Sequence, residues 1–481
     1  MGRLRYRIDQ PLPIRNPPVT DYIENRTYDE IAVGDTSVLT RTLRPEDIQL
    51  FAIMSGDVNP AHVDPEYARS GMFHEVIAHG MWGGALISTV LGTEFPGPGT
   101  IYISQTLKFS RPVKVGDTIT ITLTCTQKFD HNKHMIFDCL CVNQDNLKVI
   151  GGEAEVLAPT EKIKRERTVM PEVMLSDREA RYRKLFGRAK GLNPVKAAFV
   201  HPCDPSSLQA ALSVRDTGLM QPVLVGPEAR LRSLLGQLKL ELGITRIINV
   251  PHSHAAAARA VEMARKEEVE AVVQGSLSTE ELLLEAVAPQ GLRTARRMSH
   301  VLYIDVPSNP RPIIITDMMV NIEPTLEHKV DIVQNAIEFA HLMGIPEPKV
   351  AILAGIETVT PRMRATLDAA ALCKMADRGQ ISGAVVDGPL GFDNAISIVA
   401  ARTAGLKSAV AGQADVLLAP DLESGNMLAK QLEHLSDAIS GGVVLGGRVP
   451  IVLANRGDSV ESRIASCVLA LLVANDRRAK R

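Results

Sequence analysis

From Val195 to the C-terminus, short continuous runs of Val, Ile and Leu alternate with stretches rich in Ala, Glu, Lys and Arg: "VKAAFVHP", "QPVLVG", "AVVQG", "SHVLYIDVP", "PIIITDMM", "KVAILA", "GAVVDGP", "VLLAP", "GGVVLGG" and "PIVLANRG". A strand with one wet face alternates apolar and polar residues. A strand apolar at every position is buried on both faces and belongs to a parallel sheet covered by helices on either side. Sustained over about 290 residues, this pattern predicts an open, doubly wound α/β unit with two lobes.

The chain before it reads differently. Residues 28–158 contain helical stretches around "RPEDIQLFAIMSG" and "HGMWGGALISTVLG", then alternating strands such as "DTITITLTCTQKF" and "HMIFDCLCVN". This is an α+β order, a long helix and then a meander, with "AVGD" (32–35) and "VKVGD" (113–117) as turns. Cys139 and Cys141 fall on one strand face as buried thiols, and the six cysteines form neither a disulfide framework nor a C-x-x-C pair. Residues 1–27 are expected to form an extended arm, 159–190 a charged linker and 191–481 the α/β unit. In 161–190, 15 of 30 residues are charged, with ten basic against five acidic. A solvated connector leading into a helix accounts for this more simply than a polyanion patch. At roughly 150 residues per domain, 481 residues point to about three compact units.

Fifty-three Lys and Arg against 55 Asp and Glu leave a net charge of −2 and no overall field for nucleic acid or an anionic membrane. The N-terminal "MGRLRYRIDQPLPIRNPPV" lacks the apolar run of a secretory signal, and "CVLALLVA" is too short to span a bilayer. The expectation is a soluble, cytoplasmic protein with neither nucleic-acid nor membrane partners.

Two regions carry candidate chemistry. "SGDVNPAHVDPEYA" (55–68) crowds Asp57, Asn59, Pro60, His62 and Asp64 together. Pro60 interrupts any single helix, so Asp57 and His62 share a shaped loop where carboxylate and imidazole can activate water and deliver a proton. By spacing alone, a helix-capping Asp beside an incidental His fits as well. In "VIAHGMWGGALISTVLG", Gly80 opens a helix whose first N–H groups can face an oxyanion, although its glycines also suit close packing. In the C-terminal half, three polar segments follow apolar runs: "VVDGPLGFDNAIS", "LLAPDLESGNMLAK" and "IVLANRGDS". Asp387 and Asp393 flank a Gly-Pro turn, Gly425 and Asn426 suit a phosphate or CoA cradle, and Arg456 offers a fork of donors for a phosphate dianion. Each of these is also compatible with an ordinary turn.

Taken together, "DIQLFAIMSGDVNPAHVDPEYA", "IAHGM" and "GTIYISQTLKFSRPVKVGD" resemble the MaoC-like enoyl-CoA hydratases, hotdog domains related to the (R)-specific hydratases. The resemblance implies that Asp57 and His62 are the catalytic pair for syn hydration of trans-2-enoyl-CoA to (R)-3-hydroxyacyl-CoA. It further implies that the Gly80 amide holds the thioester oxygen, that Ser88 falls at a site position, and that the hotdog forms a homo-oligomer. "IITDMMVNIEPTLEHKVDIVQNAIEFAHLMGI" and "CKMADRGQISGAVVDGPLGFDNAIS" resemble the phosphate acetyl/butyryltransferases, with a flavour of the butyryl branch. That implies an isocitrate/isopropylmalate dehydrogenase-like fold and reversible acyl transfer between CoA and orthophosphate. CoA thioesters and phosphate are then substrates, with no metal or cofactor. Arg456 would bind phosphate or thioester oxygen, and Arg293 matches a basic family position loosely. Where acetyl-type members read Ser-Arg this chain has Asn455-Arg456, and Ser462 stands where they carry an Asp base, leaving Asp387, Asp393 or Asp458 as substitutes. The expected protein is a bifunctional acyl-CoA enzyme. The alternative is an active hydratase carrying an inactive transferase-like domain that senses acyl-CoA or serves oligomerisation.

Overall fold

The structure, a computed structural model, describes residues 22–168, 170, 173, 175, 178–455 and 457–480. The chain divides into two compact units, not three, with the boundary between Leu175 and Ser176.

In the first unit the strands are β1 (Tyr22–Glu24), β2 (Thr36–Thr42), β3 (Ile101–Gln105), β4 (Lys108–Phe109), β5 (Thr118–Phe129), β6 (His134–Val142), β7 (Lys148–Leu157) and β8 (Lys164–Glu166). An antiparallel sheet in the order β2-β5-β6-β7-β3, with β4 also on β7, packs against the helix Gly80–Thr93. Alternation decides the packing. Ile119, Ile121, Leu123 and Cys125 of β5 and Met135, Phe137, Cys139 and Cys141 of β6 turn to one buried face, where the helix contributes Trp82, Ile87, Val90 and Leu91. The two cysteines therefore lie where the alternation put them. Gly34 (φ 95°) and Gly116 (φ 93°) supply the left-handed turns expected in "AVGD" and "VKVGD".

The arm and the start of the linker are corrected, while the helix expected at the linker's end is present. Of the arm, residues 1–21 lie outside the described residues, while Tyr22–Glu24 pairs antiparallel with Lys164–Glu166. The start of the charged linker is therefore an edge strand of the first unit. Asn25 reinforces the pairing: its Nδ2 donates to the Glu161 carbonyl (2.8 Å), and its Oδ1 accepts from the Ile163 N–H (2.8 Å). The linker's end is the helix Arg178–Gly187, whose Leu185 is buried in the second unit's core.

The second unit adds β9 (Val195–Val200), β10 (Met220–Gly226), β11 (Arg246–Asn249), β12 (Ala271–Gln274), β13 (Ser299–Asp305), β14 (Ile313–Thr316), β15 (Lys349–Leu353), β16 (Val385–Leu390), β17 (Val416–Leu418), β18 (Ile439–Leu445) and β19 (Ile451–Val452). They form one continuous sheet in the order β11-β10-β9-β12-β19-β18-β13-β14-β17-β15-β16. β11-β10-β9-β12-β19 are mutually parallel, as are β14-β17-β15-β16. Between these blocks, β18 and β13 make antiparallel pairs, which the expectation of parallel strands lacked. Short connections explain the β13/β14 and β18/β19 pairs: 306–312 and 446–450 are too short for a crossover, which needs a dozen or more residues, so the chain turns back each time beside the preceding strand. One sheet face carries a single core running across both blocks, including the fully buried 465–470 run of the C-terminal helix Val460–Lys480. The other face carries two separate cores, one per block. The two lobes are thus two cores on one face of a shared sheet. Among the described residues, no helix is long and apolar enough to cross a membrane.

Candidate active sites

The helix Pro45–Ser55 ends at Gly56, whose left-handed backbone (φ 75°) turns the chain out so that Asp57 follows in a loop. Asn59 caps the short helix Pro60–Val63, accepting from the Ala61 N–H (3.1 Å), with Pro60 at its first position, where proline is tolerated. Asp64 caps the next helix, accepting from Glu66 N–H (2.9 Å) and Tyr67 N–H (3.1 Å). Asn59, Pro60 and Asp64 therefore shape the backbone; Asp57 Oδ1 also accepts from the Asn59 N–H (3.2 Å), and Asp57 and His62 are the two of this group that are brought together for chemistry. His62 Nδ1 is 2.9 Å from the Ile77 carbonyl.

A third residue, absent from the sequence reading, joins them. His79 is buried, its ring centroid 4.1 Å from that of His62, and one ligating atom each of Asp57, His62 and His79 lie within 4.8 Å of one another. Its position directly before Gly80 in "IAHGM" was the available signal. Gly80 is the first residue of the helix Gly80–Thr93, so its N–H is among those without an intrahelical acceptor. A 310 Å³ cavity is lined by His62, His79, Gly80, Trp82 and Phe109 among others, with Asp57 standing outside the lining beside the two imidazoles. Both glycine roles coexist. A Cβ on Gly83 would lie 2.2 Å from Ile150 Cδ1, so that glycine serves packing, while Gly80 faces the cavity. Ser88 is not brought to this site. It is exposed and lies eight residues, about 12 Å, farther along the helix axis.

In the second unit, a 490 Å³ cavity opens beyond the carboxyl ends of β9, β12 and β19, lined by Asp204, the 274–279 loop, Ala454, Asn455 and Arg463. This is where parallel α/β sheets place ligands. Gly275 permits the loop to cross β9, since a Cβ there would lie 2.5 Å from the Val200 carbonyl oxygen. Ser278 and Glu281 cap the helix Thr279–Val287 reciprocally. Arg463 is buried; its Nη2 donates to the Asn455 carbonyl (2.9 Å), while its Nε has no hydrogen-bond partner among the described residues. Burial alone would raise the Asp204 carboxyl, but hydrogen bonds from Ser207 and Ser206 and the Arg463 charge hold it below its ordinary value. Asp204, the 275–279 loop and Arg463 were missed by sequence reasoning. A small-polar "GSLST" between strand and helix, ending in a Ser-x-x-Glu cap, was the signal for the loop.

The other expected residues disperse. Arg456 lies outside the described residues. Asp387 belongs to β16, the edge strand six places from β19, hence about 29 Å across the sheet; its Oδ1 accepts from the Gly388 N–H (2.8 Å). Asp393 sits in the short helix after β16. Gly425 is a packing glycine: a Cβ there would lie 2.5 Å from the Asp317 carbonyl oxygen, so it cradles the chain's own backbone and not a phosphate. Asn426 Nδ2 donates to the Met318 carbonyl (3.4 Å). Arg293 is exposed and outside the cavity lining. Asp458 does stay near, accepting from Asn455 N–H (2.8 Å) and lying 3.7 Å from Lys430, and Ser462 lies beside it in a small polar recess with His300.

A family model described as "Phosphate acetyl/butaryl transferase" matches residues 252–471, and one described as "MaoC like domain" matches residues 32–138. Phosphate acetyltransferase of Rhizobium meliloti is 51% identical over 301 residues, covering 62% of this chain and 95% of that protein. The chain belongs to the phosphate acetyl/butyryltransferase family. Phosphate butyryltransferase of Clostridium acetobutylicum is 36% identical over 297 residues, covering 62% of this chain and 99% of that protein, so the expected leaning toward the butyryl branch is overturned by the higher identity to the acetyl relative. The first unit is similar to R-Hydratase PhaJ1 from Pseudomonas aeruginosa, at 42% identity over 32% of this chain and 99% of that chain, with a TM-score of 0.32. Each of the two family matches lies within one of the two compact units of the fold, the MaoC-like unit and the transferase unit.

Proposed function

We propose that the chain is a bifunctional acyl-CoA enzyme: the MaoC-like unit hydrates trans-2-enoyl-CoA to (R)-3-hydroxyacyl-CoA, and the transferase unit moves acyl groups reversibly between CoA and orthophosphate. The observation that carries the first activity is that His62 and the Gly80 helix start line one cavity, with Asp57 beside His62. In this reading Asp57 and His62 take a proton from water as its oxygen bonds C3, and return one to C2 on the same face. The Gly80 N–H receives the negative charge that develops on the thioester oxygen. The second activity rests on family membership and on the cavity at the carboxyl ends of β9, β12 and β19. There a phosphate oxygen attacks the thioester carbonyl, cationic and N–H donors stabilise the tetrahedral intermediate, and CoA thiolate departs. Arg463 and the 275–279 loop suit the phosphate, and Arg456 is kept as a phosphate ligand from the family resemblance alone. Asp458, next to Asn455, takes precedence over Asp387 and Asp393 as the substitute base.

Neither reaction calls for a metal or cofactor beyond the CoA thioester. The transferase unit is assigned the isocitrate/isopropylmalate dehydrogenase-like class on the strength of its two cores on one shared sheet. A cytoplasmic location is part of this reading and is supported by the CoA substrates it assigns. A homo-oligomer through the hotdog is supported by edge strand β3, whose Ile101, Tyr102 and Ile103 are exposed. A paired assay tests the function: loss of enoyl-CoA absorbance and phosphate-dependent CoA release for wild type, Asp57→Asn and Arg456→Ala. Asp57→Asn is expected to lower hydration by about 10²–10⁴-fold and spare CoA release, and Arg456→Ala to do the converse. Hydration that survives Asp57→Asn, or a wild type without phosphate-dependent release from acetyl- to hexanoyl-CoA, sinks the corresponding half.

A further inference from the structure

Two chain segments meet at the hydratase site. One, after Gly56, carries Asp57 and His62; the other, ending at Gly80, carries the oxyanion N–H. Their linkage is reciprocal. His62, from the first segment, bonds the Ile77 carbonyl of the second (2.9 Å), and His79 Nε2, from the second, bonds the Asp57 main-chain carbonyl of the first (2.9 Å). The two rings contact each other at 4.1 Å, and His79 also packs on Phe51 at 4.9 Å. We infer that His79 is a positioning residue, half of an imidazole clasp that sets the Asp57/His62 pair against the Gly80 amide; this rests on the hydratase reading above.

Three observations carry the inference. First, a carbonyl only accepts, so each bonded nitrogen holds the proton. Neutral His62 is then the Nδ1–H tautomer, with its Nε2 lone pair available for chemistry, and neutral His79 is the Nε2–H tautomer. Second, His79 is the N-cap of the helix Gly80–Thr93 yet makes no side-chain cap bond. Ser, Thr, Asp or Asn at that position would accept from the first helical N–H groups and stabilise the helix better, so capping does not account for histidine here. Third, His79 is only 3% exposed and its Nδ1 is buried without a hydrogen-bond partner among the described residues. An apolar side chain of similar size would avoid that desolvation cost, so stability alone does not select histidine here.

Each clasp residue is tied to a functional atom. His79 holds Asp57 by its own main chain and is covalently next to Gly80, so a shift of this ring displaces donor and carboxylate relative to each other. Misplacement by about 1 Å costs on the order of 10²-fold in rate.

The test compares His79→Leu, which removes the donor, with His79→Gln, whose amide nitrogen reaches the same carbonyl. His79→Leu is expected to lower hydration kcat about 10²-fold with KM changed less than about threefold, and His79→Gln to restore most of it. Transferase activity of the same chains, and Trp82 fluorescence during unfolding, check folding. A Leu variant within about twofold of wild-type kcat, or Leu and Gln equally impaired, overturns the inference. A second readout does not depend on turnover: ¹⁵N-histidine NMR of the full chain is expected to show fixed Nδ1–H for His62 and Nε2–H for His79, and a mixture of His62 tautomers in His79→Leu. If wild type hydrates no enoyl-CoA, the hydratase reading falls separately. The tautomers then decide the clasp: fixed in wild type they uphold it, averaged they overturn it.

Discussion

The two sites of this chain are built on opposite plans. The hydratase site is local: Asp57, His62, His79 and Gly80 all come from the continuous stretch 57–80, and the sheet supplies its floor. The transferase cavity is assembled from the ends of β9, β12 and β19, so Asp204, Ser276 and Asn455 come from three separate parts of the chain. Locality makes chemistry legible. In "SGDVNPAHVDPEYA" the structure assigns Asn59, Pro60 and Asp64 to backbone duties as the capping and proline rules predict, and brings Asp57 and His62 together.

The distributed site resisted the same method because strand order, not sequence spacing, decides which loops meet. Fully apolar strands announced a sheet buried on both faces, and the burial of β12, β13, β14 and β18 agrees. They carry no register of neighbours. Asp387 and Asn455 both follow apolar runs, yet five strands lie between β16 and β19. His79 was missed for another reason: a buried histidine in an apolar helix start looks like core until its partner, a carbonyl 22 residues away, is placed beside it.

The comparison is sharpened most by Arg463→Met. This buried cation holds the Asn455 carbonyl and faces the cavity beside Asp204. Its loss is expected to lower phosphate-dependent CoA release by on the order of 10³-fold, roughly 4 kcal/mol, and to leave hydration unchanged. Steady-state assays of both activities on one preparation decide it; a parallel fall in hydration would mean the two units do not fail independently.

Acid separates the units next. Burial, with the Lys430 charge, pushes the His300 imidazole down to about 3, well below its ordinary 6.5. The folded state stays unprotonated in this window while the unfolded state gains a proton. The stability His300 supports is therefore complete above 6.5 and is lost as pH falls toward 3. Between pH 7 and pH 4 the transferase unit of wild type should lose about 3 kcal/mol more than that of His300→Gln. Asp317, raised by burial, acts in the opposite direction but equally in both chains. Urea unfolding followed by far-UV circular dichroism measures the difference, and Trp82, the only tryptophan of the chain, reports the MaoC-like unit as the internal control.

A smaller contrast comes from two crowded glycines. A Cβ on Gly275 meets the Val200 carbonyl at 2.5 Å, and one on Gly83 meets Ile150 Cδ1 at 2.2 Å. Backbone cannot rotate away and a side-chain terminus can. Gly275→Ala should cost about 2–3 kcal/mol in the transferase unit, and Gly83→Ala about 1 kcal/mol in the MaoC-like unit, despite the shorter distance at Gly83. Thermal unfolding of the two single variants tests the order; the reverse order would mean that the 275–279 loop yields more easily than the packed helix.

Asp387→Asn carries the smallest expected effect and the sharpest test of what strand order teaches. The carboxylate accepts from the Gly388 N–H at the edge of the sheet, a bond that an Asn side-chain oxygen can also accept, and Asp387 forms no ion pair among the described residues. Phosphate-dependent CoA release should therefore change by less than about twofold, while Asp458→Asn, adjacent to Asn455, should lower it by at least about 10²-fold. If Asp387→Asn were instead the more damaging of the two, the edge strand would have to reach the reacting atoms from six strands away. The assignment of the cavity at β9, β12 and β19 as the transferase site would then be wrong, because no side chain spans about 29 Å.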